Sequence, residues 1–174
     1  MLKLTNNLIL IGFMASGKST VGRALAKKTS LPFYDLDSEI EKDTQMSITD
    51  IINKLGETYF RDLETKKLEE FVNKPKPFIL STGGGTPCYN NNINLLNSLG
   101  KTIYIKSSES VIYHRLLNNR RKRPLISRLN TEELKNYISI KYAERDPVYS
   151  QANLTIFLDK EDIETVINTI FPEC

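Results

Sequence analysis

Long hydrophobic runs, cysteine pairs and a strong excess of charge are all missing from this sequence of 174 residues. The longest early apolar run, residues 8–13, is too short to span a membrane, and Lys3 alone precedes it as a basic flank, so we expect a cytoplasmic protein without a signal peptide. Cys88 and Cys174 lack metal-ligand spacing and fit a reducing compartment. The net charge of +3 is too small to indicate a nucleic-acid surface by itself.

The composition that remains is that of an ordinary globular protein. Hydrophobic residues make up 40% and charged residues 26% of the chain, which argues against a disordered, collagen-like or coiled-coil protein. No proline-rich or glycine-rich linker divides the sequence. Because domains commonly contain about 100–200 residues, we expect one domain over residues 1–174.

Strand and helix patterns alternate along the chain. Apolar runs predict strands at residues 8–11, 33–37, 78–81, 102–105 and 154–158. Helices are predicted at residues 18–29, 38–42, 47–55, 58–73, 109–118, 131–144 and 163–170. This alternation indicates right-handed crossovers and a parallel sheet that helices cover on both faces. Ligands of such sheets bind at the carboxyl ends of the strands.

A phosphate-binding loop follows the first predicted strand. Residues 12–19 match the pattern of a glycine, four residues, and then Gly-Lys-Ser or Gly-Lys-Thr. The loop must curl so that its N–H groups point at phosphate oxygens, and Gly17 permits that close approach. Lys18 would reach the β- and γ-phosphates, and the Ser19 hydroxyl would bind Mg²⁺. The motif predicts a nucleoside triphosphate but does not identify the second substrate.

Two acidic residues mark the end of the second predicted strand. If the extended backbone continues, Asp35 and Asp37 project on the same side. One would then serve the magnesium ion while the other reaches an acceptor hydroxyl. The alternative is an acidic turn in which Asp37 caps a helix, and the neighbouring phosphate loop favours the functional interpretation.

Three further segments have both a structural and a functional interpretation. Arg61 and Glu64 have the spacing of a surface ion pair, and spacing alone favours that over carboxylate binding. The glycines at 83–85 would let the backbone press against a ligand, although a flexible turn is the alternative. The basic residues 120–123 fit a flap over a triphosphate or a nucleic-acid patch, and the absence of interleaved aromatic residues favours the flap.

Taken in order, these motifs resemble the shikimate kinase family over nearly the whole chain. The residues that carry the resemblance are 12–19, Asp35-Leu36-Asp37 with Ile40-Glu41, Gly56-Glu57, Phe60-Arg61 with Glu64, 80–85, Arg123-Pro124-Leu125, Tyr142, Arg145, Pro147 and Tyr149. The family implies a nucleoside-monophosphate-kinase-like, three-layer α/β/α fold with a five-stranded parallel sheet. It also implies a substrate-binding region at about 38–73, a lid at about 118–130, and transfer of the ATP γ-phosphoryl group to the 3-hydroxyl of shikimate in chorismate biosynthesis.

The resemblance also implies roles for individual residues. Lys18, Asp37 and Arg123 would be catalytic: Asp37 would bind the hydroxyls of shikimate and accept the attacking proton, and Arg123 would reach from the lid to the ATP phosphates. The residues expected to bind ATP are Gly12, Ala15, Ser16, Gly17, Lys18, Ser19, Thr20 and Arg123.

On the acceptor side, the family implies a carboxylate site and a hydroxyl site. Arg61 and Arg145 would hold the shikimate carboxylate. The residues expected to bind the remainder of shikimate are Asp37, Gly83, Gly84 and Gly85. Asp35 would join Ser19 at the magnesium ion.

Three rival functions remain open at this point. Another small-molecule kinase of the same fold, such as a gluconate or nucleotide kinase, would not need the pair Arg61 and Arg145. A kinase-like protein that binds ATP without turnover would have lost Lys18, Asp37 or Arg61, and all three are present. Nucleic-acid binding depends on residues 120–123 alone. We therefore expect a monomer that acts on ATP and shikimate, with no nucleic-acid or membrane partner.

Overall fold

The computed structural model describes residues 6–119, 126–127, 129–159 and 163–171, with the backbone alone at Asn119 and Ile163. Five strands form one parallel sheet with the spatial order β2-β3-β1-β4-β5. The strands are β1 (Asn7–Ile11), β2 (Phe33–Asp35), β3 (Ile79–Ser81), β4 (Gly100–Lys106) and β5 (Leu154–Phe157). The predicted five-stranded parallel sheet is therefore confirmed.

Helices connect the strands. They are α1 (Lys18–Thr29), α2 (Leu36–Thr44), α3 (Ile48–Leu55), α4 (Glu57–Phe71), α5 (Asn92–Leu99), α6 (Glu109–Asn119), α7 (Thr131–Tyr149) and α8 (Ile163–Ile170), with a short 3₁₀-helix at Thr86–Cys88. In the ranges that the structure describes, none of the helices is long and apolar enough to cross a bilayer. The 3₁₀-helix and α5 were not predicted, because the asparagines at 90–92 resemble a turn. Asn90 and Asn91 do form that turn, with positive φ angles, and α5 begins directly after it.

The central strand β1 separates two hydrophobic cores. Leu8 and Leu10 pack with residues of α1 and α8 on one face of the sheet. Ile9 and Ile11 pack on the other face with residues of α2 to α7. Side chains alternate across a strand, so a strand buried on both faces must be apolar throughout. This arrangement confirms the three-layer α/β/α fold.

The second strand ends earlier than the sequence predicts. β2 stops at Asp35, and Leu36 is already the first residue of α2. The predicted shared side for Asp35 and Asp37 depended on a continued extended backbone, and that condition is not met, because the chain passes from strand to helix between the two residues. Asp35 instead reaches Ser19, and Asp37 lies in the first turn of α2 beside the glycines at 83–85.

Helix α7 begins as predicted but ends one turn later than expected. Asn130 and Glu133 form a capping box, with Asn130 Oδ1 2.9 Å from Glu133 N and Glu133 Oε2 2.7 Å from Asn130 N. The helix continues through Pro147 to Tyr149, whereas the sequence predicts a stop near residue 144. Proline lacks a backbone donor, so the carbonyl oxygen four residues before Pro147 loses its usual helical partner while the helix continues. Arg145 and Tyr149 are consequently four residues apart on one helical face, and both are buried.

Candidate active site

The phosphate-binding loop connects β1 to α1 in the predicted conformation. Gly12 and Gly17 have φ angles of 141° and 106°, which side-chain-bearing residues rarely adopt, and Ala15 also has a positive φ of 61°. The buried Lys18 lies inside the curve of the loop, where Nζ donates to the carbonyl oxygens of Gly12 at 2.9 Å and Phe13 at 2.8 Å. The loop thus holds the ammonium group of Lys18 close to the position that phosphate oxygens would occupy.

Two ATP-binding candidates differ in exposure. The buried Ser16 Oγ has no hydrogen-bond partner among the residues that the structure describes. A buried hydroxyl without a partner is unfavourable, so this donor fits a site that an anion completes. Thr20 is exposed in the first turn of α1.

Arg115 of α6 supports the outside of the phosphate loop. Its Nη1 donates to the carbonyl oxygens of Ala15 and Ser16, each at 3.0 Å. The Ser107 hydroxyl donates to the same Ser16 oxygen at 3.2 Å. Sequence reasoning missed Arg115, because one basic residue in an amphipathic helix resembles a solvated surface group. Arg115 and Ser107 therefore fix the carbonyl groups of Ala15 and Ser16 on the side of the loop that faces α6.

Oxygen groups meet where β2 and β3 end. Ser19 Oγ donates to Asp35 Oδ2 at 2.7 Å and lies 3.3 Å from Ser81 Oγ, a residue to which the sequence analysis assigns no role. Magnesium prefers such oxygen ligands and takes few of them from the protein, keeping water and phosphate for the rest. Within the described part of the chain, no group of three or more His, Cys, Asp or Glu residues is placed so that it could hold a metal ion. Ser19 and Asp35 therefore fit a magnesium site.

Arg61 and Glu64 form a buried ion pair. Arg61 Nη1 donates to Glu64 Oε2 at 2.7 Å, and Arg61 Nη2 donates to Glu57 Oε1 at 2.8 Å. Glu64 is fully buried and also accepts a hydrogen bond from the Thr86 hydroxyl. The preference for a surface ion pair is therefore wrong, because tertiary packing covers this face of α4 and spacing alone cannot reveal that.

Burial and charge act against each other on this ion pair. Burial raises the pKa of Glu64 above its ordinary value, while the neighbouring Arg61 guanidinium opposes the shift. Burial lowers the pKa of Arg61, but Glu64 and Glu57 outweigh it, so the net change is upward. Arg61 consequently remains a cation in the interior.

Arg145 is a second buried cation. It is 5% exposed, and its guanidinium carbon lies 5.6 Å from the centre of the Phe13 ring in the phosphate loop. Within the described ranges, no carboxylate forms an ion pair with Arg145. Arg145 and Arg61 both act electrostatically on Glu64 and on Cys88. A buried cation without a carboxylate partner favours the binding of an anion beside it.

The glycines at 83–85 lie against the phosphate loop, Asp37 and the buried ion pair. A Cβ atom on Gly83 would lie 2.7 Å from Glu64 Oε1 and 3.1 Å from Asp37 Oδ1. A Cβ on Gly84 would lie 2.8 Å from Met14 N in the phosphate loop, and one on Gly85 would lie 2.6 Å from Arg61 Nη1. The Tyr149 hydroxyl donates to the Gly84 carbonyl oxygen. Close approach on three sides therefore explains three consecutive glycines.

The remaining candidates have simpler positions. Cys88 is half-buried beside the arginines, and burial raises the pKa of its thiol, so the thiol stays protonated. Tyr89 stacks on Arg61, with 4.6 Å between the guanidinium carbon and the ring centre. His114 is exposed, and its ring lies 5.4 Å from that of Tyr113. Arg123 and Cys174 lie outside the described residues.

Comparisons with known proteins agree on one family. The family model described as shikimate kinase matches residues 14–174. The shikimate kinase of Azobacteroides pseudotrichonymphae is 37% identical over 95% of this chain and 98% of its own length. The shikimate kinase of Flavobacterium johnsoniae is 38% identical over 94% of this chain and 95% of its own length.

Solved structures show the same likeness. Shikimate kinase from Bacteroides thetaiotaomicron superposes with a TM-score of 0.88 at 32% identity, covering 95% of this chain and 96% of that one. Shikimate kinase from Acinetobacter baumannii in complex with shikimate superposes with a TM-score of 0.84 at 32% identity, covering 96% and 93% of the two chains.

Proposed function

This chain belongs to the shikimate kinase family, and on that premise we propose that it transfers the γ-phosphoryl group of ATP to the 3-hydroxyl of shikimate at the site described above. The observation that carries the proposal is the pair of buried arginines beside the glycines at 83–85. Arg145 has no carboxylate ion-pair partner in the described part of the chain, and shikimate would supply one. A nucleoside monophosphate has no carboxylate, so this pair of arginines favours shikimate over a nucleotide acceptor. Gluconate does have a carboxylate, and the acceptor panel described below distinguishes it from shikimate.

The ATP side of the proposed site is the phosphate loop. Its N–H groups and the start of α1 would hold the phosphates, and Lys18 would neutralise charge on the β- and γ-phosphates. Ser19 and Asp35 would hold Mg²⁺, which when bound neutralises phosphate charge and orients the transferred group. We carry over from the family that Arg123 approaches the same phosphates.

The acceptor side positions the hydroxyl and removes its proton. Arg61 and Arg145 would fix the carboxylate of shikimate, which orients the ring over the glycines. Asp37 would accept the proton of the 3-hydroxyl of shikimate. The 3-oxygen would then form a bond to the γ-phosphorus while the bond between that phosphorus and the leaving oxygen of ADP breaks. Residues 38–73 would form the substrate-binding region, since they include Arg61 and Glu64.

The direct test is a coupled assay of ADP release with Mg·ATP and a panel of acceptors. We expect ADP release to depend on shikimate, with one phosphorylated product per ADP and the phosphate on the 3-oxygen by ³¹P NMR. Gluconate and a nucleoside monophosphate are the rival acceptors in the panel. Turnover with either of them instead of shikimate, or ATP binding without turnover, would contradict the proposed function.

Replacing Arg145 by glutamine is expected to raise the KM for shikimate about 100-fold, because a charge-assisted hydrogen bond of about 1.5–3 kcal/mol is lost. The KM for ATP should change little. The matched control is Lys135→Gln, which removes an exposed positive charge from the same helix. Steady-state kinetics with both substrates varied give the two KM values separately. An unchanged KM for shikimate would exclude Arg145 from the carboxylate site.

A further inference from the structure

The guanidinium of Arg61 is already bound to two carboxylates of its own helix. Glu64 accepts from Nη1 at 2.7 Å, and Glu57 accepts from Nη2 at 2.8 Å. Arg61 Nε is buried and has no hydrogen-bond partner among the residues that the structure describes. A buried donor without a partner is unfavourable, so this guanidinium is only partly satisfied by the protein.

The two carboxylates that bind Arg61 have different surroundings. Glu64 is fully buried and also accepts a hydrogen bond from the Thr86 hydroxyl. Breaking its ion pair with Arg61 would leave an uncompensated charge in the interior, which is unfavourable. Glu57 is the first residue of α4, and its side chain is 39% exposed. A carboxylate at the surface can exchange its ion pair for water at little cost. Glu57 is therefore the carboxylate that can be displaced.

The position of Glu57 matters because of how carboxylates bind arginine. A planar carboxylate binds a guanidinium through two parallel N–H groups, which are either Nη1 with Nη2 or Nε with Nη2. Both arrangements use Nη2, which carries two N–H groups, one of them donated to Glu57. The arrangement with Nε would also satisfy a buried donor that has no partner among the described residues. A substrate carboxylate on that edge would share Nη2 with Glu57, and the two negative charges would oppose each other.

We propose that Glu57 is an internal substitute for the substrate carboxylate: it holds Nη2 of Arg61 and is displaced when shikimate binds. This inference rests on the proposed function, since it assumes a carboxylate acceptor at Arg61. Glu57 would be a specificity-determining residue, because a ligand gains the arginine only if its own carboxylate outcompetes the resident one. Polyols without a carboxylate would leave the pair of Glu57 and Arg61 intact.

The test replaces Glu57 by glutamine, which keeps the shape and removes the charge. We expect the Kd and the KM for shikimate to fall about three- to tenfold, because the competing carboxylate and its repulsion of the ligand are lost. We expect kcat to stay within about twofold of the wild-type value. Titration calorimetry gives the Kd, and steady-state assays give the KM and kcat.

Two controls isolate the carboxylate. Asp62→Asn removes the same charge from an exposed position of the same helix and should leave the affinity unchanged. The methyl ester of shikimate has no carboxylate charge, so its Kd should be the same for the wild type and for Glu57→Gln. The same titration of Glu57→Ala tests the complete removal of the side chain, and the Kd for shikimate should again be lower than that of the wild type.

The outcomes separate this inference from the proposed function. If the wild type phosphorylates shikimate and Glu57→Gln raises the KM or leaves it unchanged, the inference is wrong and Glu57 is a support for Arg61. Equal tightening for shikimate and for its methyl ester would also overturn it. If the wild type neither binds nor phosphorylates shikimate, the proposed function itself fails.

Discussion

The Asp37→Asn variant is expected to lower kcat for shikimate about 10²–10⁴-fold, because an amide cannot accept the proton of the attacking hydroxyl. Asp37 lies in the first turn of α2, where the helix dipole favours a negative charge, and its Oδ1 lies 3.1 Å from a Cβ built on Gly83. Asparagine has the same shape, so the close fit against Gly83 persists. The loss should therefore appear in kcat at saturating shikimate, measured by coupled ADP release.

Glu39→Gln is the matched control for this variant. Glu39 lies in the same first turn of α2 and forms a surface ion pair with Lys42, whose side chain is 71% exposed. Pairs of this kind contribute at most about 1 kcal/mol, and Glu39 is not part of the proposed site. Its kcat should stay within about twofold of the wild type. A kcat of Asp37→Asn within threefold of the wild-type value would exclude Asp37 as the proton acceptor.

Replacing Lys18 by methionine should lower kcat about 10²–10³-fold, the range seen when one preorganised donor to a developing negative charge is removed. Methionine keeps the length and apolar stem of lysine, so it fills the loop where Nζ now contacts the carbonyl oxygens of Gly12 and Phe13. The KM for ATP should change less than kcat, since the N–H groups of the loop and the start of α1 remain.

Lys27→Met provides the comparison for Lys18, because Lys27 is an exposed lysine on the same helix. Its kcat and its KM for ATP should match the wild-type values. Thermal shifts with Mg·ADP, measured alongside the kinetics, report nucleotide binding separately from turnover. A Lys18→Met enzyme that keeps more than a tenth of wild-type kcat would contradict a role for this amine in the transition state.

Sequence patterns predicted the fold well where one local signal dominates. The apolar run of β1 and the amphipathic repeat of α1 and α8 gave those elements with bounds within one residue. The end of β2 was not predictable, because Asp35-Leu36-Asp37 satisfies a strand and a helix start equally well. Helix α5 was missed because its first residue, Asn92, continues a run of asparagines. Competing local signals, rather than missing ones, caused both errors.

The chemistry of the site was less predictable than its location. Motif spacing identified the phosphate loop and the glycines at 83–85, but the burial of Arg61 and Glu64 depends on packing between α4 and distant parts of the chain. Ser81 and Arg115 became recognisable only through contacts to residues far away in sequence. Such partners follow from the folded arrangement and leave no pattern of spacing in the chain.

The three glycines have a consequence for how the two halves of the proposed site are coupled. They lie against the phosphate loop at Met14 on one side and against Asp37 and Arg61 on the other. Glycine has more backbone freedom than any other residue, so packing against these neighbours, rather than the φ and ψ preferences of the segment itself, fixes its conformation. A ligand that orders one of these neighbours would therefore reduce the entropy that the other ligand must still overcome.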